Sequence, residues 1–149
     1  MQFVPSCGYF TDFLKDHKLS RQHYFDKLWS KVAGVDLVFF DPDNGFDNGF
    51  EVATTKFGKR NSSKYLYWPE ATQCYEMGSS LLVYQHFCRQ KRDAFIGRIA
   101  RKLHQHTHAK TIISFRTPQV VFFLVPQTSI SPILNSRPRN WRGGKIRST

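Results

Sequence analysis

Acidic residues stop at Asp93, and every charged side chain beyond it, from Arg98 to Arg147, is a cation. Cysteine is scarce: Cys7, Cys74 and Cys88 are odd in number and at spacings that suit neither a disulfide framework nor a zinc clip. They predict free thiols in a reducing compartment. No apolar run approaches the roughly 18–20 residues that a membrane span needs, which excludes a membrane helix. The stretch from Met1 to Phe13 has no basic region followed by a long apolar segment, so a secretory signal is not expected. These absences together predict a cytoplasmic protein without a membrane partner. Also missing are a P-loop, a G-x-S-x-G elbow and an H-E-x-x-H helix, and with them the chemistries those motifs announce.

What is present is a chain long enough for a real core. Its 149 residues suit one domain, and 40% apolar residues with 14 Phe argue against disorder over most of it. The net charge is +11, yet the first 93 residues are nearly neutral, so the C-terminal third carries almost all the excess. Such asymmetry points to a polyanion partner, most simply nucleic acid. The plainer alternative is a basic surface that serves solubility alone.

Residues 9–33 read as helical, with Ser20 as N-cap and Tyr24, Phe25, Leu28, Trp29 and Val32 at helical spacing, closed by Gly34. Residues 35–40 are a β-branched and aromatic run, a buried strand ending at Asp41-Pro42-Asp43-Asn44-Gly45-Phe46. Residues 47–63 form a long polar loop, and Pro69 starts a helix that Gly78 ends. A second strand follows over 80–84, a helix over 89–106, a third strand over 111–115 and a fourth over 120–125. Thr117-Pro118 is too short a link for anything but an antiparallel hairpin. The fold class predicted is α/β: a mostly parallel sheet with flanking helices and a C-terminal hairpin, its apolar strands covered on both faces. Residues 1–125 make the domain, and 126–149 a basic tail rich in Pro and Arg.

The segments VDLVFFDPDNGF, SSKYLYW, SLLVYQHF and RTPQVVFFLV, in that order, resemble the C-terminal half of a class I S-adenosylmethionine-dependent methyltransferase, a Rossmann-like fold. They also resemble a group of bacterial and phage proteins with a DPDNG strand end and a KYxYW segment. The similarity covers roughly residues 20–125. In methyltransferases acting on exocyclic amines, the corresponding strand ends in Asp/Asn-Pro-Pro-aromatic. Asp41 and Pro42 match its first two positions, whereas Asp43 and Asn44 replace the second proline and the aromatic. The family's donor pocket comes mainly from its N-terminal strands and a glycine-rich turn, neither of which precedes Val35 here. The resemblance therefore implies a half-complete scaffold, for which a partner chain would supply the rest of a donor site.

Candidate chemistry gathers at the first strand's end. Asp41, Asp43, Asp47 and Glu51 crowd the carboxyl end of a central strand, where open α/β sheets place ligands. Asp41, Asp43 and Glu51 could hold Mg²⁺ for a nuclease or phosphoesterase, although the spacing is not that of an EF-hand. Alternatively, Asp41 and Asp43 merely cap the turn. Neither S-adenosylmethionine nor Mg²⁺ is shown by the sequence. Asn44, Lys64, Tyr65 and Tyr67 could contact substrate, lysine at a phosphate and tyrosines by stacking; the plain reading makes Lys64 surface. Gln85 and His86 would point at the Asp41 end, His86 as general base. Arg89 and Arg116 could hold phosphate bidentately. In the tail, Arg139, Arg142, Lys145 and Arg147 are the expected nucleic-acid contacts, and an exposed sheet edge would favour a homo-oligomer. A third reading is a non-catalytic interaction module of a phage or bacterial system.

Overall fold

The structure is a computed structural model that describes residues 7–47 and 58–127, and the backbone of 145–146. Helix α1 runs from Lys18 to Val32 and strand β1 from Leu37 to Phe40. After a 3₁₀ turn at Ser62–Lys64 come α2 (Trp68–Glu76), β2 (Ser80–His86), α3 (Arg92–Thr107), β3 (Ile112–Arg116), β4 (Val120–Val125) and β5 (Lys145–Ile146).

The first helix begins at Lys18, later than residue 9 but three residues before a Ser20 cap would start it. Ser20 lies inside it, and Asp16 is spent on another segment. One Asp16 carboxylate oxygen accepts the Asn61 N–H and the other the Ser63 N–H, each at 2.8 Å. These bonds hold the Asp16 carboxyl down to about 2, the Ser63 backbone contributing most. At the far end Gly34 adopts φ +78°, which lets the chain leave the helix at once for β1. Helix α2 starts at Trp68, with Pro69 in its first turn and Glu70 accepting the Tyr67 N–H at 2.9 Å.

The sheet order is β1-β2-β4-β3-β5. β1 and β2 pair in parallel through α2, as a strand–helix–strand unit requires. β4 then folds back and inserts between β2 and β3, antiparallel to both. β1, β2 and β3 therefore run in one direction, but β1–β2 is the one parallel pairing in the described sheet. This corrects the expectation of a mostly parallel sheet. The hairpin took the inner position, which replaced a parallel β2–β3 contact by two antiparallel ones. Its turn is fixed by Thr117, whose N–H donates to the Val120 carbonyl at 2.9 Å while its hydroxyl accepts the Val120 N–H at 3.2 Å.

The two sheet faces differ. Val38, Leu81, Val83, Val121, Phe123 and Val125 share one face by strand alternation, and all are buried. They form a single core with Phe25 and Trp29 of α1, Cys74 of α2 and Phe95 and Ile99 of α3. Fully burying a side chain such as Phe123 or Leu81 contributes about 2–3 kcal/mol relative to exposure. Burial also pushes the Cys74 thiol up to about 12, which makes it an inert core residue. The opposite face carries Leu37, Phe39, Leu82, Tyr84, Phe122 and Leu124, with Phe39 and Tyr84 rings against Phe122. None of these belongs to the core cluster, and Phe39 is 52% exposed. Among the described residues the helices thus cover one face, so apolar strand runs did not signal cover on both. No helix of the described residues is long and apolar enough to cross a membrane.

Part of the C-terminal segment joins the sheet. Lys145 stands opposite Ile113 and Ile146 opposite Ile112 in an antiparallel pair.

Candidate functional site

The turn after β1 is built around Gln85. Its side-chain oxygen accepts the Phe46 N–H at 2.8 Å, and its amide nitrogen donates to the His86 and Asn44 carbonyls at 3.0 and 3.4 Å. Gly45 sits directly on that amide at φ +75°; a β-carbon there would overlap it. The chain then runs parallel to residues 64–66, with Asn44 N–H donating to the Lys64 carbonyl, Leu66 N–H to Gly45 and Asp47 N–H to Leu66. This short ladder carries Phe46 into the core at 0% exposure. Phe46 stacks on Trp68 with centroids 4.2 Å apart and planes within 2°, and His106 stacks on Trp68 at 5.2 Å and 9°.

Asp41, Asp43 and Asn44 are exposed at this end of the sheet. Neither aspartate carboxylate makes a hydrogen bond or ion pair among the described residues. Gln85, expected beside them as a ligand, is instead consumed in holding the turn. His86 follows it in the strand and so lies on the opposite face, where its Nε2 is 3.2 Å from the Tyr84 hydroxyl. The two do not converge. Arg116 reaches the same end of the sheet, two strands from His86, and pairs with Asp93 at 2.5 Å. Arg89 is exposed in the link between β2 and α3. Glu51, Arg139, Arg142 and Arg147 lie outside the described residues, and Lys145 is placed only by its backbone in β5. Among the described residues no group of three His, Cys, Asp or Glu side chains could hold a metal ion.

Lys64 is exposed and Tyr65 half-buried, but Tyr67 belongs to a buried centre that the sequence reading did not single out. Arg21 of α1 is 1% exposed. Its guanidinium donates Nε to Glu70 Oε1 at 2.6 Å and Nη2 to Glu70 Oε2 at 2.7 Å. It also donates to the Ser62 carbonyl at 3.1 Å and the Tyr65 carbonyl at 2.8 Å. The cation lies 4.5 Å from the Tyr67 ring centroid and 5.2 Å from that of Phe25. Burial raises the Glu70 carboxyl, while Arg21 and the Tyr67 N–H draw it back toward the ionised form. Burial, then the Asp47 charge, pushes the Tyr67 hydroxyl up to about 12, so it stays protonated. One signal was available: Arg21 falls in the stripe Arg21, Phe25, Leu28, Trp29, a charge at a core position of an amphipathic helix.

Between α1 and α2 lies a groove of about 630 Å³ with this ion pair in its wall. Phe25, Trp29, Tyr67 and Trp68 give it aromatic walls, and Lys18, Gln22, Gln73 and Lys102 bring polar groups to it.

The three histidines near the end of α3 are exposed and have local roles. His104 Nδ1 is 2.9 Å from the Ala109 carbonyl, His106 stacks on Trp68, and His108 closes the helix at φ +54°.

No family model, curated protein or solved structure matches this chain.

Proposed function

We propose that this chain is a nucleic-acid-binding α/β domain on a scaffold resembling the C-terminal half of a class I methyltransferase. The observation that carries it is the charge distribution, with no acidic residue after Asp93. In the described part, that stretch contributes Arg98, Arg101 and Lys102 on α3, Lys110 before β3, and Arg116 on β3. Arg101 and Lys110 are exposed. A cationic surface of this kind neutralises phosphates without reading sequence. The scaffold part of the proposal is supported by β4 closing the sheet between β2 and β3, the closing hairpin that the resemblance implies.

The described residues do not fit a methyl donor at the β1 end. Gln85 fills the space against Gly45, and its amide is bonded to the turn itself. We therefore assign a binding role and derive no transfer step. The same proposal places self-association at the outer edge of β1, where Leu37 and Phe39 are 44% and 52% exposed.

The test is fluorescence anisotropy with labelled single-stranded and duplex oligonucleotides across a salt series, with titration calorimetry against S-adenosylmethionine alongside. For single strands, the expected slope of log affinity against log salt is about −3, as roughly four neutralised phosphates would give. A flat salt response refutes the proposal. Heat on adding S-adenosylmethionine would restore the enzymatic reading.

A further inference from the structure

The sheet face opposite the helices is not equally open along its width. Leu37 and Phe39 on β1 are exposed, and Leu82 and Tyr84 on β2 and Phe122 and Leu124 on β4 are half-buried. Ile113 on β3 stands opposite Leu124 and so shares this face, yet it is only 7% exposed. It is buried without belonging to the core that the helices cover. Neighbouring strands set their side chains beside Ile113 at the same height, so they can flank it but not roof it. Something other than α1, α2 and α3 therefore lies over β3.

The topology says what it is. β4 and β5 are both antiparallel to β3 and hence parallel to each other, with β3 between them. The chain that joins them is a crossover and has to pass β3 on one face of the sheet. The units β1–α2–β2 and β2–α3–β3 advance along the sheet in one direction and carry their helices on the core face. The step from β4 to β5 advances in that same direction, but its strands point the opposite way. Parallel crossovers almost all share one hand, and with the strands reversed that hand puts the link on the opposite face, over Ile113. Two strand spacings are about 10 Å, a distance that residues 128–144 can span several times over. Their composition fits an apolar floor with solvent above it: Ile130, Ile133 and Leu134 come first, then Arg137, Arg139 and Arg142, with no acid among them.

We propose that residues 128–144 of this same chain cross the open face over β3 and set Ile130, Ile133 and Leu134 on Ile113, Phe122 and Leu124. The cations that follow are then fastened to the sheet at both ends of the crossover rather than carried on a free tail. This inference rests on strand direction and burial and is independent of the nucleic-acid reading.

The test is nuclear Overhauser spectroscopy on the full chain, with labelled Ile and Leu methyls and Phe rings. Contacts are expected from Ile130, Ile133 and Leu134 to Ile113, Phe122 and Leu124. Contacts to Phe39 in place of Ile113 would put the segment over β1 and overturn the crossover. Mixing labelled and unlabelled chains separates the occupants: contacts seen only between the two kinds of chain make a second copy the cover and overturn the proposal. No contact at all between residues 128–144 and this face overturns it as well. As a second measurement, the full-length double variant Ile133→Asp with Leu134→Asp should raise the fluorescence of an apolar-surface dye severalfold while its far-ultraviolet circular dichroism stays that of the parent. A variant that keeps that spectrum without any rise in dye fluorescence also refutes the cover.

Discussion

Removing Arg21 tests whether the buried pair organises the molecule. Arg21→Met keeps most of the side-chain volume but takes away the charge. It leaves the Glu70 carboxylate, whose side chain is 11% exposed, with the Tyr67 N–H and no cation. The Ser62 and Tyr65 carbonyls lose their guanidinium donors at the same time. Losing one partner of a buried pair costs about 3–5 kcal/mol. In a domain of this size each kcal/mol moves the midpoint by roughly 2–4 °C, so the melting temperature should fall by about 6–20 °C. Urea titration followed by circular dichroism gives the free energy directly. The informative comparison is the double variant Arg21→Met with Glu70→Leu, which leaves no orphan charge. Apolar replacement of a whole buried pair is often near neutral, so the double variant should recover at least half of the loss. The reasoning fails if Arg21→Met costs less than about 1 kcal/mol, or if the two substitutions simply add.

Gly45→Ala should destabilise by about 2–4 kcal/mol, because the positive φ and the overlap with Gln85 act together. Gly34→Ala is the control: its φ is similarly positive at +78°, but nothing lies within 4 Å of the new β-carbon, so chemical denaturation should show only the backbone cost of about 1 kcal/mol. His106 has its pKa lowered from 6.5, first by burial and second by Lys102. Its contribution to stability is therefore present above pH 6.5 and lost as pH falls through the lower folded value. An NMR titration of the His106 ring should show the depressed midpoint, and His106→Phe should flatten that part of the stability profile; a midpoint at or above 6.5 refutes the assignment. Arg101→Ala and Lys110→Ala should each weaken oligonucleotide binding without changing sequence preference, reducing the salt slope by about 0.7 on single strands. Arg139→Ala, Arg142→Ala and Arg147→Ala should act the same way in the same anisotropy assay.

Where the sequence pattern was strong, element positions were legible to within a few residues. β4 was bounded at 120–125 because Thr117-Pro118 on one side and Pro126 on the other interrupt a continuous apolar run. The start of α1 was misplaced because Ser20 looks like a cap. Capping depends on which loop the preceding residue meets, and Asp16 meets residues 61–63 some 45 positions away. Strand direction was harder still. The hairpin was evident from turn length, but turn length does not say which side of β3 the returning strand takes. That choice depends on packing: inserted beside β2, β4 buries Val121, Phe123 and Val125 against the helices.

Candidate residues were legible as types and much less so as roles, for the same physical reason. Gln85 and His86 are adjacent polar residues at a strand end, and a linear reading sends both to one ligand. Strand alternation sends them to opposite faces, and burial then decides what each must do. On the core side a carboxamide cannot be left without partners, so Gln85 bonds to the Asn44–Phe46 backbone and ceases to be available to a ligand. Arg21 obeys the same constraint. A guanidinium at a core position must find a carboxylate and carbonyls, and in finding them it fixes α1 against α2. Polar groups in the interior are thus committed to holding the fold. Ligand chemistry then falls to polar groups at the mouths of concavities. In the described residues Lys18, Gln22, Gln73 and Lys102 sit around such a mouth. Asp41 and Asp43 are just as available at the end of β1, but that end presents two anions to solvent, and a phosphate would be repelled there. Exposed cations occur elsewhere, with Arg101 on α3 and Lys110 before β3.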